Sequence, residues 1–136
     1  MTRARWGAAL VAGTLVASAF AIAASRDDDV RTVHIRIHYS RFDAASLRFA
    51  PGETVRFVVE NTDPIDHEFI LGDRTVQILH ERGTQAFHAP RPGVMTLPAN
   101  STRTTTFAFG EPGTLLIGCH LPGHYAFGMR IPVTVA

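Results

Sequence analysis

The loop from Gly118 to Met129, close to the C-terminus, holds three side chains that can bind a metal. Cys119, His124 and Met129 follow the spacing C-x4-H-x4-M, and Cys119 is the only cysteine among the 136 residues. A thiolate, an imidazole and a thioether are ligands that suit soft metal ions. A glycine directly precedes each of the three, and we expect the backbone to bend at each of them: Gly118, Gly123 and Gly128.

A fourth candidate ligand lies upstream. His67 precedes Cys119 by 52 positions and begins a short apolar stretch that is typical of a strand. One thiolate, two imidazoles and a weak axial thioether form the arrangement that binds copper for electron transfer. Taken alone, Cys119 could be an inert buried thiol or a free or intermolecular one, and Met129 could be core filling. Together, His67, Cys119, His124 and Met129 favour a site for one copper ion.

The first residues follow the layout of a secretory signal peptide. Two early arginines precede an uncharged run over residues 6–24, and Ala21–Ala23 fits an A-x-A cleavage pattern. We expect residues 1–24 to be a cleaved signal and residues 25–136 to form a single domain. The alternative is an uncleaved membrane anchor, which the many Ala, Gly, Thr and Ser residues of the run disfavour. The pattern therefore predicts a periplasmic or otherwise exported protein.

The composition excludes several functional classes. Without residues 1–24 the chain carries eleven arginines, no lysine and twelve acidic residues, a balance that gives no basic footprint for nucleic acid. The sequence shows no Ser-His-Asp set, no pair of catalytic carboxylates and no phosphate-binding glycine loop. We therefore expect neither nucleic-acid binding nor enzymatic activity, and a membrane contact only if the N-terminal segment stays attached.

Alternating, β-branched segments separated by turn residues predict an all-β protein. Val33–Tyr39 and Thr54–Glu60 show the period-2 pattern of strands with one buried face. Asp63-Pro64 is typical of a turn. Val76–Leu79 fits either a strand or a helical turn, and the sequence contains no convincing helix. We expect an antiparallel Greek-key β-sandwich of roughly seven or eight strands.

These segments resemble the cupredoxins, the family of blue copper proteins that includes plastocyanins and azurins. Asn61–Phe69 resembles the part of the family that carries the upstream histidine, and Phe49–Phe57 resembles the turn and strand before it. The C-x4-H-x4-M spacing is similar to that of rusticyanins and auracyanins. The resemblance covers the chain from about Val30 to Val135. It implies a cupredoxin-like sandwich with one type 1 copper ion.

The resemblance also implies a role for each ligand. His67, Cys119 and His124 would be the equatorial ligands and Met129 the axial one. The edge of His124 would reach the surface and be the route by which electrons enter and leave. Redox protein partners would dock there in brief encounters with a protein that we expect to be a monomer. The apolar residues expected around this edge are Leu121, Pro122, Phe127, Pro64 and Ile65.

Two positions depart from the cupredoxin pattern. Glu68 stands where several members carry an asparagine that ties the ligand loops together, so that hydrogen bond is either lost or replaced by a carboxylate. His120 directly after Cys119 resembles the multicopper oxidases, whose histidines flank the cysteine and bind a trinuclear cluster. Gly118 replaces the first of those histidines, and one short domain cannot supply the other ligands. We expect His120 to point away from Cys119.

A second group of candidate ligands lies in and just after residues 72–92, where the hydrophobic pattern is weakest. His80, Glu81, His88 and Met95 could form an accessory copper site. Solvated loop residues are the simpler interpretation and the one that we expect.

The sequence thus predicts an exported one-electron carrier that cycles between Cu(II) and Cu(I) and has no substrate chemistry of its own. The alternative is a periplasmic copper-binding protein for copper tolerance or delivery, which the additional histidines and Met95 keep open. A third, weaker interpretation is an immunoglobulin-like adhesion domain without metal.

Overall fold

A computed structural model describes residues 30–83 and 89–136, so the predicted signal peptide and His88 lie outside the described residues. In these two ranges no helix is long and apolar enough to span a bilayer. The elements of the described chain are β1 (Arg31–His38), β2 (Arg41–Phe42), β3 (Leu47–Phe49), β4 (Thr54–Asn61), β5 (His67–Gly72), α1 (Arg74–Glu81), β6 (Val94–Leu97), β7 (Ser101–Ala108), β8 (Gly113–Gly118) and β9 (Arg130–Val135).

The strands form two sheets around a common core. One sheet has the order β2-β1-β4-β7 and the other has the order β3-β9-β8-β5-β6. Successive residues of a strand point to opposite faces. In β4, for example, Val55, Phe57 and Val59 are buried, whereas Thr54 and Glu60 are exposed. The predicted all-β sandwich is confirmed.

Aromatic rings occupy the centre of the core. Phe49 stacks on Phe109 with ring centroids 4.3 Å apart, and Phe57 meets Phe49 edge-on at 5.8 Å. Phe57 also contacts Phe69 with centroids 5.3 Å apart. Such pairs stabilise a core beyond the area that they bury. They join β4 to β5, the strand that begins at His67.

The sheets are mixed, whereas the sequence analysis predicted antiparallel pairing. β1 pairs with β4 in parallel, and so does β3 with β9. After β2 the chain passes through β3 in the second sheet and re-enters the first sheet as β4, so β1 and β4 run in the same direction. Period-2 alternation reports which face is buried but carries no information on strand direction. The described chain has nine strands, against the seven or eight expected, because β2 is a strand of only two residues.

The segment that fitted either a strand or a helical turn is helical. α1 begins after Asp73, whose Oδ1 accepts a hydrogen bond from the Val76 amide at 2.9 Å. This N-cap satisfies one of the amides that a first helical turn leaves without a partner. The expectation that the chain has no convincing helix is therefore wrong, and the cap is the signal that was overlooked.

Gln77 joins α1 to the second sheet. It is only 4% exposed, and its Nε2 donates to the carbonyls of Ile70 at 3.0 Å and Leu116 at 2.8 Å. Its Oε1 accepts a hydrogen bond from the Nε2 of His120 at 2.7 Å. One side chain thus satisfies polar groups on β5, on β8 and in the loop after β8.

Replacing Gln77 by Ala should destabilise the metal-free protein by about 2–4 kcal/mol, because buried carbonyls and an imidazole lose their partner. Urea denaturation followed by circular dichroism measures the change. Leu79→Ala is the control, since Leu79 lies on the same helix but is 66% exposed. Its loss should change the free energy of unfolding by less than about 0.5 kcal/mol. Equal effects of the two substitutions would contradict the role given to Gln77.

Candidate metal centre

Two neighbouring strands bring His67 and Cys119 together. β5 begins at His67 and pairs with β8, and Cys119 directly follows β8. The next loop returns His124 to the same point. The Nδ1 atoms of His67 and His124 lie 3.2 Å apart. The Cys119 Sγ lies 3.3 Å from the His124 Nδ1 and 4.0 Å from the His67 Nδ1.

The three donor atoms fit one metal ion. They all lie within 4.8 Å of one another, and a metal that binds nitrogen and sulfur at about 2.0–2.3 Å, as zinc does, can reach atoms at such separations. His67 and Cys119 are buried and His124 is partly buried. A thiolate with two imidazoles and no carboxylate favours copper or zinc over magnesium or calcium. The structure thus brings together three of the four predicted ligands.

Asp63 fixes the orientation of the His67 ring. The His67 Nε2 lies 2.9 Å from the Asp63 Oδ2, and because a carboxylate only accepts hydrogen bonds, Nε2 carries the hydrogen. In the neutral ring the Nδ1 atom then has a free lone pair, and this atom faces Cys119 and His124. Partners of this kind orient metal-binding histidines and raise their basicity.

The turn between β1 and β2 holds the Asp63 carboxylate. Asp63 accepts hydrogen bonds from the amides of Tyr39 and Ser40, each at 2.7 Å. Burial by itself would raise the pKa of Asp63, but these amides and His67 outweigh it, so the pKa lies below its usual value. Asp63 is therefore ionised at neutral pH. The sequence indicates Asp63 only as part of a turn, and the signal for its role is the spacing of four residues from His67.

Asn61 fixes the path of the chain from β4 to His67. Its side chain is buried, and its Nδ2 donates to the carbonyls of Ile65 and Pro98, each at 2.9 Å. Its Oδ1 accepts the Asp63 amide at 3.0 Å. These bonds hold a loop without regular secondary structure in one conformation, as a preorganised ligand requires.

The Cys119 thiol lies in a buried environment. Burial raises the pKa of Cys119 from 9.0 to about 11; the amides of Leu121 and Glu68 lower it, and the charge of Glu68 adds to the rise. The Glu68 amide donates to the sulfur at 3.3 Å. Because a metal binds the thiolate, metal binding at neutral pH must release the thiol proton.

Turns shape the loop that carries His124. The His124 amide donates to the Leu121 carbonyl, and the Met129 amide donates to the His124 carbonyl, both at 3.0 Å. Gly123 and Gly128 have φ angles of 85° and 93°, which other residues adopt only with strain. The predicted bends before His124 and Met129 are therefore confirmed. Burial and the nearby His67 lower the pKa of His124, so its imidazole is neutral at pH 7.

Gly118 does not provide a bend. A Cβ at this position would lie 2.9 Å from the Tyr125 ring and from the Gln77 Oε1. Glycine is therefore required because neighbouring side chains approach closely, and the expectation of a bend at Gly118 is corrected.

Met129, the fourth predicted ligand, lies beside Cys119. It is 1% exposed, and its carbonyl accepts the Cys119 amide at 3.2 Å. Its burial places the thioether in the interior at the end of the ligand loop. The assignment of Met129 as the axial ligand stays a prediction.

His120 points away from the donor group, as expected. Its Nε2 donates to Gln77, and its ring stacks on Tyr125 with centroids 4.6 Å apart. Burial and the nearby His80 lower the pKa of His120. His120 is therefore held by Gln77 of α1 and by Tyr125 and is not part of the donor group.

Glu68 links the two segments that carry the ligands. Its Oε2 accepts the His120 amide at 3.1 Å, and its side chain is 4% exposed. The backbone of Glu68 meanwhile donates to Cys119. The hydrogen bond that an asparagine makes at this position in several cupredoxins is therefore not lost. The Glu68 carboxylate replaces it.

Apolar side chains are exposed beside the centre. Phe127 is 84% exposed and Ile65 is 46% exposed. The Phe127 ring lies next to Gly123, where a Cβ would be 3.2 Å from it. Both side chains are thus exposed as expected, and a common apolar surface used by redox partners stays a prediction.

The candidate accessory ligands do not form a second donor group in the described chain. Across residues 30–83 and 89–136, the one cluster of three or more His, Cys, Asp or Glu donors is His67, Cys119 and His124. Met95 lies on β6 and is buried in the core at 4% exposure, so the expectation that it is a solvated loop residue is wrong. The His80 Nδ1 donates to the Val76 carbonyl at 2.8 Å.

Curated relatives of the chain are copper proteins. It is 36% identical over 99 residues to the copper-resistant cuproprotein CopI of Rubrivivax gelatinosus, which covers 70% of this chain and 59% of the relative. It is 24% identical to the CopI of Pseudomonas aeruginosa, with 96% of this chain and 90% of the relative covered. The chain thus spans about three-fifths of the length of the first relative.

Solved cupredoxin structures share the fold. Auracyanin B matches with a TM-score of 0.63 and 27% identity over 78% of this chain and 88% of that one. Reduced auracyanin from Roseiflexus castenholzii matches with a TM-score of 0.65 and 25% identity, covering 77% and 96%. The family model described as multicopper oxidase matches residues 20–136. The chain therefore belongs to the multicopper oxidase family and is a copper-binding cupredoxin.

Proposed function

We propose that this cupredoxin serves copper tolerance outside the cytoplasm, by holding one copper ion that cycles between Cu(II) and Cu(I). The ion is bound by His67, Cys119 and His124, with Met129 as the axial ligand. The observation that carries the proposal is the buried group of one thiol and two imidazoles, whose donor atoms lie 3.2–4.0 Å apart.

Neighbouring residues set the tautomer and the charge of the ligands. Asp63 accepts the Nε2 hydrogen of His67, so the Nδ1 of the neutral ring is left for the metal, and burial lowers the pKa of His124. Cys119 gives up its proton as the metal binds. Copper supplies one-electron redox chemistry. Because hydrogen bonds and turns already fix the donor atoms, little of the protein has to move when the ion gains or loses an electron.

The relatives favour copper tolerance over general electron carriage. Three of them bear the name copper-resistant cuproprotein, at 36%, 24% and 32% identity. The signal-like N-terminal pattern supports an exported location. Because the chain spans 59% of the first relative, the proposal is limited to a role for the copper site itself.

Electron carriage between redox proteins is the second candidate. Exposed apolar side chains on the two segments that carry the histidine ligands favour it, because a small apolar surface suits brief docking of a partner. Phe127 is 84% exposed and Ile65 is 46% exposed.

We do not propose an oxidase activity, although the matched family is named for it. The trinuclear copper cluster of such oxidases needs many histidines in one place. His120 is instead bonded to Gln77, and the described residues contain no second donor cluster.

Purified protein loaded with Cu(II) should bind one ion per chain and show an intense visible band from thiolate-to-copper charge transfer. Cys119→Ser should abolish the band and weaken copper binding by more than the roughly 10–100-fold that the loss of an outer partner costs. His34→Ala, which changes an exposed histidine on β1, should leave both unchanged. Absorption spectroscopy and metal analysis decide, and a colourless wild-type protein without copper would contradict the proposal.

Met129→Leu should retain copper and raise the reduction potential, because the ion loses an electron-donating sulfur. Redox titration against a dye mediator measures the shift. The matched control is Met95→Leu, since Met95 is a core methionine on β6, and it should leave the potential unchanged. Loss of copper from Met129→Leu would contradict the axial assignment.

Phe127→Ser distinguishes copper tolerance from electron carriage. The ring is 84% exposed, so its loss should leave the visible spectrum unchanged. A deletion strain that carries this variant should grow in copper as the wild type does, whereas Cys119→Ser should remain copper-sensitive. Leu79→Ser, at another exposed apolar position, is the control. Equal copper sensitivity of Phe127→Ser and Cys119→Ser would favour the carrier function instead.

A further inference from the structure

Two buried carboxylates flank the metal centre without belonging to its donor group. Asp63 is 5% exposed and Glu68 is 4% exposed, and they lie on either side of His67 in the sequence. The donor cluster itself contains only His67, Cys119 and His124. Burying a carboxylate is unfavourable unless its charge is compensated, and backbone amides donate hydrogen bonds to both of these carboxylates.

Asp63 places a negative charge directly behind a ligand. Its Oδ2 accepts the Nε2 hydrogen of His67 at 2.9 Å, while the Nδ1 of the same ring faces the donor group. A cation bound at Nδ1 is therefore separated from this charge by one imidazole ring. The amides of Tyr39 and Ser40 hold the carboxylate in place.

Glu68 places a second charge beside the thiol. Its Oε2 accepts the amide of His120, the residue directly after Cys119, at 3.1 Å. The amide of Glu68 donates to the Cys119 sulfur at 3.3 Å, and such a bond weakens electron donation by a thiolate. The backbone and the side chain of Glu68 therefore act on the copper centre in opposite directions.

We propose that Asp63 and Glu68 are positioning residues that bias the centre toward Cu(II) and lower its reduction potential. Cu(II) carries one more positive charge than Cu(I), so nearby buried negative charges stabilise it more. The imidazole that donates to Asp63 also becomes more basic, which favours the same oxidation state. This inference rests on the copper site proposed above, and it makes the centre one that retains the oxidised ion.

Asp63→Asn and Glu68→Gln test the bias, because each keeps the size and an oxygen acceptor but removes the charge. Each should lower the ratio of Cu(II) to Cu(I) affinity about tenfold, a rise of about 59 mV for a one-electron couple. Competition with chelators selective for each oxidation state gives the ratio, and redox titration gives the potential. Glu60→Gln is the control, because this carboxylate is 48% exposed and paired with Arg36. It should change the ratio by less than about twofold.

The metal-free protein offers an independent measurement. At a pH at which the rings are neutral, nitrogen-15 NMR of the histidines should show His67 with its hydrogen on Nε2. Glu68→Gln should leave this tautomer unchanged, because Glu68 acts on the other ligand segment. A neutral His67 ring with its hydrogen on Nδ1 in the wild-type protein would overturn the role of Asp63.

The outcomes separate this inference from the proposed function. A ratio that stays constant in both variants, or equal losses of Cu(II) and Cu(I) affinity, overturns the inference and leaves copper binding intact. A wild-type protein without copper affinity overturns the function itself. If Asp63→Asn does not fold by circular dichroism, Glu68→Gln decides, because its amide oxygen can still accept from His120.

Discussion

Burial of the metal-binding donors is the constraint on which the rest of the structure depends. A buried polar group that loses its partner costs about 1–3 kcal/mol, so the donors and the polar groups around them each need a partner from elsewhere in the fold. The Nε2 of His67 donates a hydrogen bond to Asp63, and the sulfur of Cys119 accepts one from the amide of Glu68. The Nε2 of His120 donates to Gln77. The turn after β1, the start of β5 and the helix α1 are therefore parts of the same site.

The two residues that directly follow β8 have different environments. Cys119 packs in the hydrophobic core, whereas His120 is hydrogen-bonded to Gln77 of α1. His120 also stacks on Tyr125, and the guanidinium of Arg130 lies 5.4 Å from the centroid of the Tyr125 ring. A histidine next to the cysteine is thus insufficient for a second metal site, because the two side chains have different partners.

The sequence predicted the strands and the donor group because both depend on residue type and short spacing. Period-2 alternation identified β4, and the C-x4-H-x4-M loop with His67 identified the three donors that the structure brings together. The partners of the donors depend on contacts that no local pattern encodes. The role of Asp63 arises only because the turn at Tyr39 and Ser40, 23 to 24 positions away, presents two amides to it. The parallel pairing of β1 with β4 could not be predicted from the sequence for the same reason. It depends on the path that the chain takes through the second sheet before it returns to the first.

The two carboxylates also bear on which function the centre suits. Backbone amides of the protein donate hydrogen bonds to the carboxylates of Asp63 and Glu68. Negative charge at these positions increases the affinity for Cu(II) more than that for Cu(I). Retention of copper requires such affinity, whereas rapid exchange of electrons requires only that the donors stay fixed, a condition that neutral partners would meet equally well. The choice of carboxylates therefore agrees better with copper retention than with electron carriage.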